Sequence, residues 1–284
     1  GYTVGANIMY LKYEQLSASV QNMLEKDNWI FNTGNKLTSA LDDGHSRAMY
    51  SAFASAQLAY DEWLSLDLTA RNDWSSTLPK KNNSFFYPSA SLSWVFSDFM
   101  RSIDHKLPSW ITFAKLRVSA AQVGKDPAPY NLYNVRKYQF EMGNRKPINN
   151  TIKLNANLKP EIKTSYEVGV DMKFLDNRLG FDFTYYYNTT KNQAMLVDAS
   201  SPWTQQWVNA GKINNTGVEF MLYGTPVKTR DFQFDITANL AHNRSTVKEL
   251  ADGVNRVYFA GDSNMPVKVG AVKGGKLGDI FANN

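Results

Sequence analysis

The residues able to do chemistry in this sequence stand apart from one another. Histidines occur at His45, His105 and His242 with no second ligand at metal-binding spacing, so each reads as a solvated or structural imidazole and no metal site is assigned. No Gly-x-Ser-x-Gly elbow or other nucleophile-base arrangement is present, so no catalytic residue is assigned and no enzymatic activity is expected. The run Gly270-Ala-Val-Lys-Gly-Gly275-Lys276 approaches a phosphate loop, but Leu277 stands where a Ser or Thr must reach magnesium. No helix-forming run follows it, and it reads as a glycine-rich loop. Carboxylates are plentiful, yet they recur at every second position of alternating segments, which spaces them along one face of a sheet. That is the lining of a wet lumen, not an acid/base pair. No cofactor is called for.

Binding chemistry is better represented. Aromatic rings sit beside amides and carboxylates in the stretches between the alternating segments: Asn72, Asp73 and Trp74, then Phe86 and Tyr87, Tyr130, Trp203 and Trp207. A ring face that stacks and an amide that hydrogen-bonds together suit a sugar or a peptide. These eight residues are the candidate ligand-contacting set, placed at the rim formed by the long loops.

The elements that must hold them alternate with period two. In 164–188, Tyr166, Val168, Val170, Met172 and Phe174 share one face against Ser165, Glu167, Gly169, Asp171 and Lys173. After Asp176-Asn177, Leu179, Phe181, Phe183, Tyr185 and Tyr187 oppose Arg178, Gly180, Asp182, Thr184 and Tyr186, which makes the pair a tight hairpin. The grammar repeats at 64–71 and 231–240 and more weakly near 5–20, 47–60, 85–98, 111–123 and 213–224, for nine strands in all. Several alternate for longer than the five or six residues of an average soluble strand and reach the about 9–11 residues that a tilted strand needs to cross a bilayer.

Connections add an independent clue. Asp61-Glu62, Asp176-Asn177 and Gly224 to Arg230 are short and 99–110 is intermediate, whereas 21–46, 75–84, 124–161, 190–212 and the stretch from 247 are mostly long. Short and long alternate in chain order, so every long loop lies at one end, the arrangement of outer-membrane barrels. The expected fold is therefore all-β, an antiparallel transmembrane β-barrel segment with a multi-pass place in the outer membrane. Its polar face meets a lumen and its apolar face membrane lipid. Trp63, Trp74, Trp94, Trp110, Tyr185 and Tyr187 suit interfacial girdles. An open sheet would leave backbone groups unpaired in hydrocarbon, so further strands must complete it.

Composition fits. Hydrophobic residues make 43% and charged residues 20% of 284, which belongs to a folded chain. Lys and Arg exceed Asp and Glu by 31 to 26, but without basic runs, so no nucleic-acid partner is expected. Cysteine is absent, which removes disulfides and thiolate metal sites.

Five segments carry a more specific likeness: "LTARNDWSSTLP" (68–79), "FFYPSASLSWVFSD" (85–98), "AKLRVSAAQVGKD" (114–126), "LKPEIKTSYEVGVDMKFLDNRLGFDFTYYYNTTKNQ" (158–193) and "NAGKINNTGVEFMLYGTPVKTRDFQFDITANLAHNRSTVKELADG" (209–253). In that order they resemble the barrel of SusC-like TonB-dependent transporters of the Bacteroidota outer membrane, over most of 47–253. The resemblance implies a barrel of about 22 strands, closed by an N-terminal plug, energised by the inner-membrane TonB complex and capped by a SusD-like surface lipoprotein. It also implies import of oligosaccharides, or in some members peptides. Residues 1–284 then form part of one barrel domain, with the plug and the remaining strands outside the sequence. The competing expectation is a soluble all-β carbohydrate-binding module, in which a second layer of polypeptide would cover the apolar face.

Overall fold

The computed structural model describes residues 1–23, 34–133, 137–141, 144–148, 151–251, 253–258 and 267–282. The chain opens with β1 (Tyr2–Met23), β2 (Gly34–Tyr60), β3 (Leu64–Ser75) and β4 (Ser84–Val95). A short helix α1 (Phe96–Ser102) leads to β5 (Ile111–Lys125). Three small strands follow, β6 (Lys137–Glu141), β7 (Asn144–Ile148) and β8 (Ile152–Lys153), before the hairpin of β9 (Glu161–Phe174) and β10 (Leu179–Lys191). The remainder comprises β11 (Ala194–Asp198), β12 (Gln205–Asn209), β13 (Lys212–Lys228), β14 (Gln233–Glu249), β15 (Arg256–Tyr258), β16 (Val267–Val272) and β17 (Asp279–Ala282).

Nine of these form one antiparallel sheet in the order β1-β2-β3-β4-β5-β9-β10-β13-β14, an up-and-down meander that skips only strands belonging to the long loops. The nine segments expected from alternation are these nine. The skipped strands build two three-stranded sheets and one two-stranded sheet, which alternation alone did not indicate. Pairing is regular: Phe183 lies opposite Val170 on one side and Phe220 on the other, and Asp182 opposite Asp171 and Met221. Side-chain parity is therefore shared across the wall.

Two of the three short turns are those expected, while the third lies at 229–232 and not over Gly224 to Arg230, because β13 continues past a bulge after Gly224 to Lys228. Asp61 and Glu62 have φ of 45° and 59°, and Leu175, Asp176 and Asn177 have 54°, 55° and 65°. Consecutive left-handed residues match the right-handed twist of the strands that they join. Two further boundaries differ from expectation. The first pair of strands runs to Met23 and from Gly34, well past the segments near 5–20 and 47–60, and β2 spans 27 residues. At about 3.4 Å per residue it outreaches any bilayer, and beyond the hydrocarbon a ladder has no lipid to satisfy, so apolar alternation is not required of it. The intermediate link 99–110 holds the end of α1, a helix too short at seven residues to show a periodic stripe.

The faces of the wall are unlike, in the sense opposite to a soluble sheet. Large apolar side chains are the exposed ones: Ile8, Leu68, Leu92, Val118, Val168, Phe183, Leu222 and Leu240 all lie bare. No second sheet lies over them among the described residues. Phe183 is 37% and Phe234 48% exposed, and Phe181, half-buried, packs sideways on Phe174 and Phe220 at 6.1 and 6.0 Å within the same sheet. Aromatics bracket this band. Trp63, Trp94, Phe99, Trp110 and Phe174 stand at the short-turn rim, with Trp110 stacked on Phe174 at 5.7 Å and Trp63 tilted against Phe99 at 4.8 Å. Tyr50, Trp74, Phe86, Tyr166, Tyr185 and Tyr187 stand at the long-loop end of the same face. Two girdles flanking an apolar band define a membrane wall.

Parity makes a direct prediction. Phe183→Arg places a charge in mid-band and is expected to cost about 2–4 kcal/mol in urea-titrated insertion into lipid vesicles. Ser91→Lys, on the opposite face beside Asp67, should be nearly neutral in the same assay.

Candidate functional site

The polar face is built of groups that satisfy each other across strands. Arg117 on β5 donates from Nη2 to both oxygens of Asp182 on β10, at 2.8 and 2.9 Å, and so reaches across the whole width of β9. The path is open because the intervening residue is Gly169, where a Cβ would meet Arg117 Nη2 at 2.9 Å. The same device recurs with rings. Tyr186 lies over Gly217, whose added Cβ would meet Tyr186 Cζ at 2.4 Å, and its hydroxyl accepts from Asn243 Nδ2 at 2.7 Å. Tyr223 covers Gly180 likewise. Inward side chains lie flat along the wall instead of standing into the lumen.

At the long-loop rim the inner face is closed by a buried polar cluster. Asp126, just after β5, accepts from Arg47 Nη2 at 2.6 Å, from Thr77 Oγ1 at 2.8 Å and from the Ser75 hydroxyl. Ser75, Thr77 and Asp126 are all buried. One step down the wall, Asp73 accepts from Arg71 Nε at 2.7 Å and from the Tyr87 hydroxyl at 2.5 Å, while Arg71 Nη2 donates to Ser51 Oγ at 2.9 Å. These carboxylates are compensated by paired cations and hydroxyls, as buried charge requires.

Over this cluster the loops fold back onto the wall. Met49, Leu78, Phe85 and Leu158 form an apolar core with Tyr87, Leu132 and Trp207 packed against it. Asn209 joins two loops: its Oδ1 accepts from Lys159 N at 2.7 Å and its Nδ2 donates to the carbonyls of Lys159 and Asn192, each at 2.9 Å. Parallel pairing of β12 with β8 reinforces that junction. Beneath it opens a cleft of about 380 Å³ lined by Arg47, Lys125, Asp126, Lys159, Glu161 and Trp207.

The structure divides the eight candidate residues. Asp73 and Tyr87 face inward and bond each other, and Tyr87 shares the apolar core with Trp207, which also lines the cleft. Trp203 sits in the β11-β12 turn, its N–H donating to Ser200 O at 3.2 Å. Tyr130 is exposed at the rim, where Ser46, through its hydroxyl and then its amide at 3.2 Å, bonds the phenol oxygen and holds its pKa below the usual tyrosine value. Asn72, Trp74 and Phe86 have the other parity. Asn72 lies opposite Phe86, and both share the outer face with Leu66, Leu68 and Trp74. Extending the Leu64, Leu66, Leu68, Ala70 register by four residues would have separated them from Asp73. Arg47, Asp126 and Lys159 carried no local signal, because their partners lie far along the chain.

The remaining chemistry-bearing residues stay apart. His45 stacks on Tyr13 at 4.9 Å, His105 lies in the link after α1, and His242 pairs with Val218 on the outer face. The glycine-rich run contributes to β16 and its turn, docking on β14 through Val247 N to Gly275 O at 2.9 Å. Among the described residues no group of His, Cys, Asp and Glu could hold a metal ion.

A nine-stranded wall with lipid-facing girdles, a polar inner face and all long loops at one rim is the wall of an outer-membrane β-barrel. The chain belongs to the TonB dependent receptor-like, beta-barrel family, which it matches over residues 3–266. It is 28% identical over 209 residues to TonB-dependent receptor SusC of Bacteroides thetaiotaomicron, covering 68% of this chain and 20% of that protein. It is 26% identical over 215 residues to TonB-dependent receptor P3 of Formosa agariphila, covering 72% and 21%. The chain thus spans about a fifth of the length of these curated relatives. Its fold matches the RagAB peptide importer in the closed-closed state with a TM-score of 0.78 at 23% identity, over 96% of this chain and 30% of that one. Its fold also matches the ferric enterobactin receptor PfeA of Pseudomonas aeruginosa at 0.56 and 16% identity, over 99% and 42%. Its place is the outer membrane.

The glycine device is testable. Gly169→Val should displace the Arg117 guanidinium, break its contact with Asp182 and cost about 1 kcal/mol in vesicle unfolding. Asp126→Ala, which strands Arg47 and frees Ser75 and Thr77, should expose the segment after β5 to limited proteolysis about 5- to 150-fold faster, the population shift set by about 1–3 kcal/mol.

Proposed function

We propose that this wall belongs to an active importer that takes up oligosaccharides through the outer membrane, together with a SusD-like surface lipoprotein as lid and the TonB complex as energy source. One observation carries the reading: the polar inner face ends, at the long-loop rim, in a cleft that combines Trp207 with carboxylate, ammonium and guanidinium groups and holds no reactive constellation. An aromatic face beside directional hydrogen-bonding groups is the chemistry that holds a sugar ring. Dispersed, paired charges such as Arg117–Asp182 keep a lumen hydrated without one deep binding well, so a ligand can enter and leave it. The barrel is of about 22 strands with a plug whose movement opens the path. Of the eight rim residues, Asp73, Tyr87, Tyr130, Trp203 and Trp207 are those proposed to meet the ligand, directly or by shaping the cleft.

Peptide cargo is the second reading, favoured by the fold likeness to the RagAB peptide importer and by the mixed charge of the same cleft, which would take the termini of a peptide equally well. Mass spectrometry of whatever is released from the full-length transporter purified with its lid separates the two. Oligosaccharides are expected, and Trp207→Ala should weaken their retention about tenfold. Peptides alone would assign the cargo to the second reading, and free barrel with no ligand dependence on Trp207 would remove the cleft from the account.

A further inference from the structure

The cleft beside Trp207 is lined by both acids and bases, but they are not equally free to meet a ligand. Asp126 is fully engaged. Its oxygens accept from Arg47 Nη2 and from the Ser75 and Thr77 hydroxyls, and its side chain is only 3% exposed. It fixes Arg47 at the cleft wall and leaves a ligand no acceptor of its own to use. Glu161 is then the one acid of the lining that still faces a ligand, and it is half-buried.

Three lysines surround that acid. Lys125 is its partner across the β5-β9 ladder, and ladder partners point to the same side of a sheet. Lys163 stands two residues further along β9, which puts it on that side as well. Lys159, two residues before Glu161, is anchored by Asn209, which accepts from its amide and donates to its carbonyl. All three lysines are exposed, and their ammonium groups have no partner among the described residues. One carboxylate against three ammonium groups leaves a surplus of two positive charges at the cleft. Beside them Trp207, Pro127, Ala128 and Pro129 supply an apolar wall, which the fixed φ of the two prolines keeps stiff.

A simple anion has no use for the apolar wall, and a neutral sugar has none for the lysines. A sugar that carries a negative charge uses both. We infer that the cleft selects oligosaccharides built from anionic units, whose charge is a carboxylate or a sulfate ester. The ring of one unit packs on Trp207 and the prolines, and its anionic group takes charge-assisted hydrogen bonds from Lys125 and Lys159. Lys163 draws the charge of a neighbouring unit, and Glu161 accepts from sugar hydroxyls. Repeated anions along a chain match repeated cations along the rim, and the surplus charge speeds their capture. The inference rests on the oligosaccharide reading of this cleft and narrows it to one class of sugar.

Binding of oligogalacturonate, oligomannuronate and a sulfated galactan oligosaccharide to the full-length transporter purified with its lid tests this, each chain beside the neutral one made from it by carboxyl reduction or desulfation. A charged chain should bind about tenfold tighter than its neutral counterpart at low salt, and the preference should shrink as salt is raised. Which charged chain is held tells carboxylate from sulfate. Lys125→Gln with Lys159→Gln and Lys163→Gln, exposed changes that leave the wall intact, should bring the charged chain to within about twofold of the neutral one. Trp207→Ala should weaken both forms alike. Neutral chains bound as tightly as charged ones, or a charge preference that survives the triple substitution, would overturn this inference and leave the oligosaccharide reading standing. Failure of every chain to bind, charged or neutral, would overturn both.

Discussion

Everything in this molecule follows from the rule that a backbone amide in hydrocarbon must find its partner within the protein. A strand cannot meet lipid alone, so each of the nine wall strands is paired along its length with its neighbour in sequence or with the next one beyond a loop. The outer edges of β1 and β14 carry the same demand, and on β14 the turn after β16 meets part of it at Val247, whose N–H donates to Gly275 O and whose carbonyl accepts from Gly274 N. Once the ladder is fixed, the period of two leaves only one decision per strand, which face meets lipid. Pairing without bulges over most of β9, β10 and β13 transmits that decision across the wall.

The inner face shows how a lumen is kept open while being lined with large side chains. Wherever an aromatic or guanidinium group points inward from one strand, a glycine often lies beside it on the next: Phe53 on Gly5, Tyr223 on Gly180, Tyr186 on Gly217, Arg117 over Gly169. Each pairing lays the side chain flat. The wall gains packing and cross-strand hydrogen bonds without narrowing the path. Glycine in a strand is unfavourable in isolation, and here the neighbouring ring supplies the contact that the glycine lacks.

How much of this was legible in the sequence depended on distance along the chain. The β9-β10 hairpin was fully readable, since Asp176-Asn177 and two runs of alternation are local signals, and loop sorting gave the orientation. The small loop sheets were not readable, because strands such as Ala194–Asp198 are five residues long and face no lipid. At the rim, parity would have split Asn72, Trp74 and Phe86 from Asp73 and Tyr87, yet proximity in sequence made them look like one group. The Arg47–Asp126 pair, separated by 79 residues, has no sequence signal at all and appears only when β2 and the end of β5 are brought to the same rim.

Single nitroxide labels along β10 from Leu179 to Lys191, on cysteines introduced one at a time into the full-length protein with any other cysteine replaced and reconstituted in lipid vesicles, test the orientation of the wall most directly. The account predicts that accessibility to apolar oxygen peaks at 181, 183, 185 and 187, and that accessibility to a water-soluble nickel reagent peaks at 182, 184 and 186. Equal accessibility at both parities, or shielding of 181 and 183 from both reagents, would show that protein and not lipid covers the apolar face.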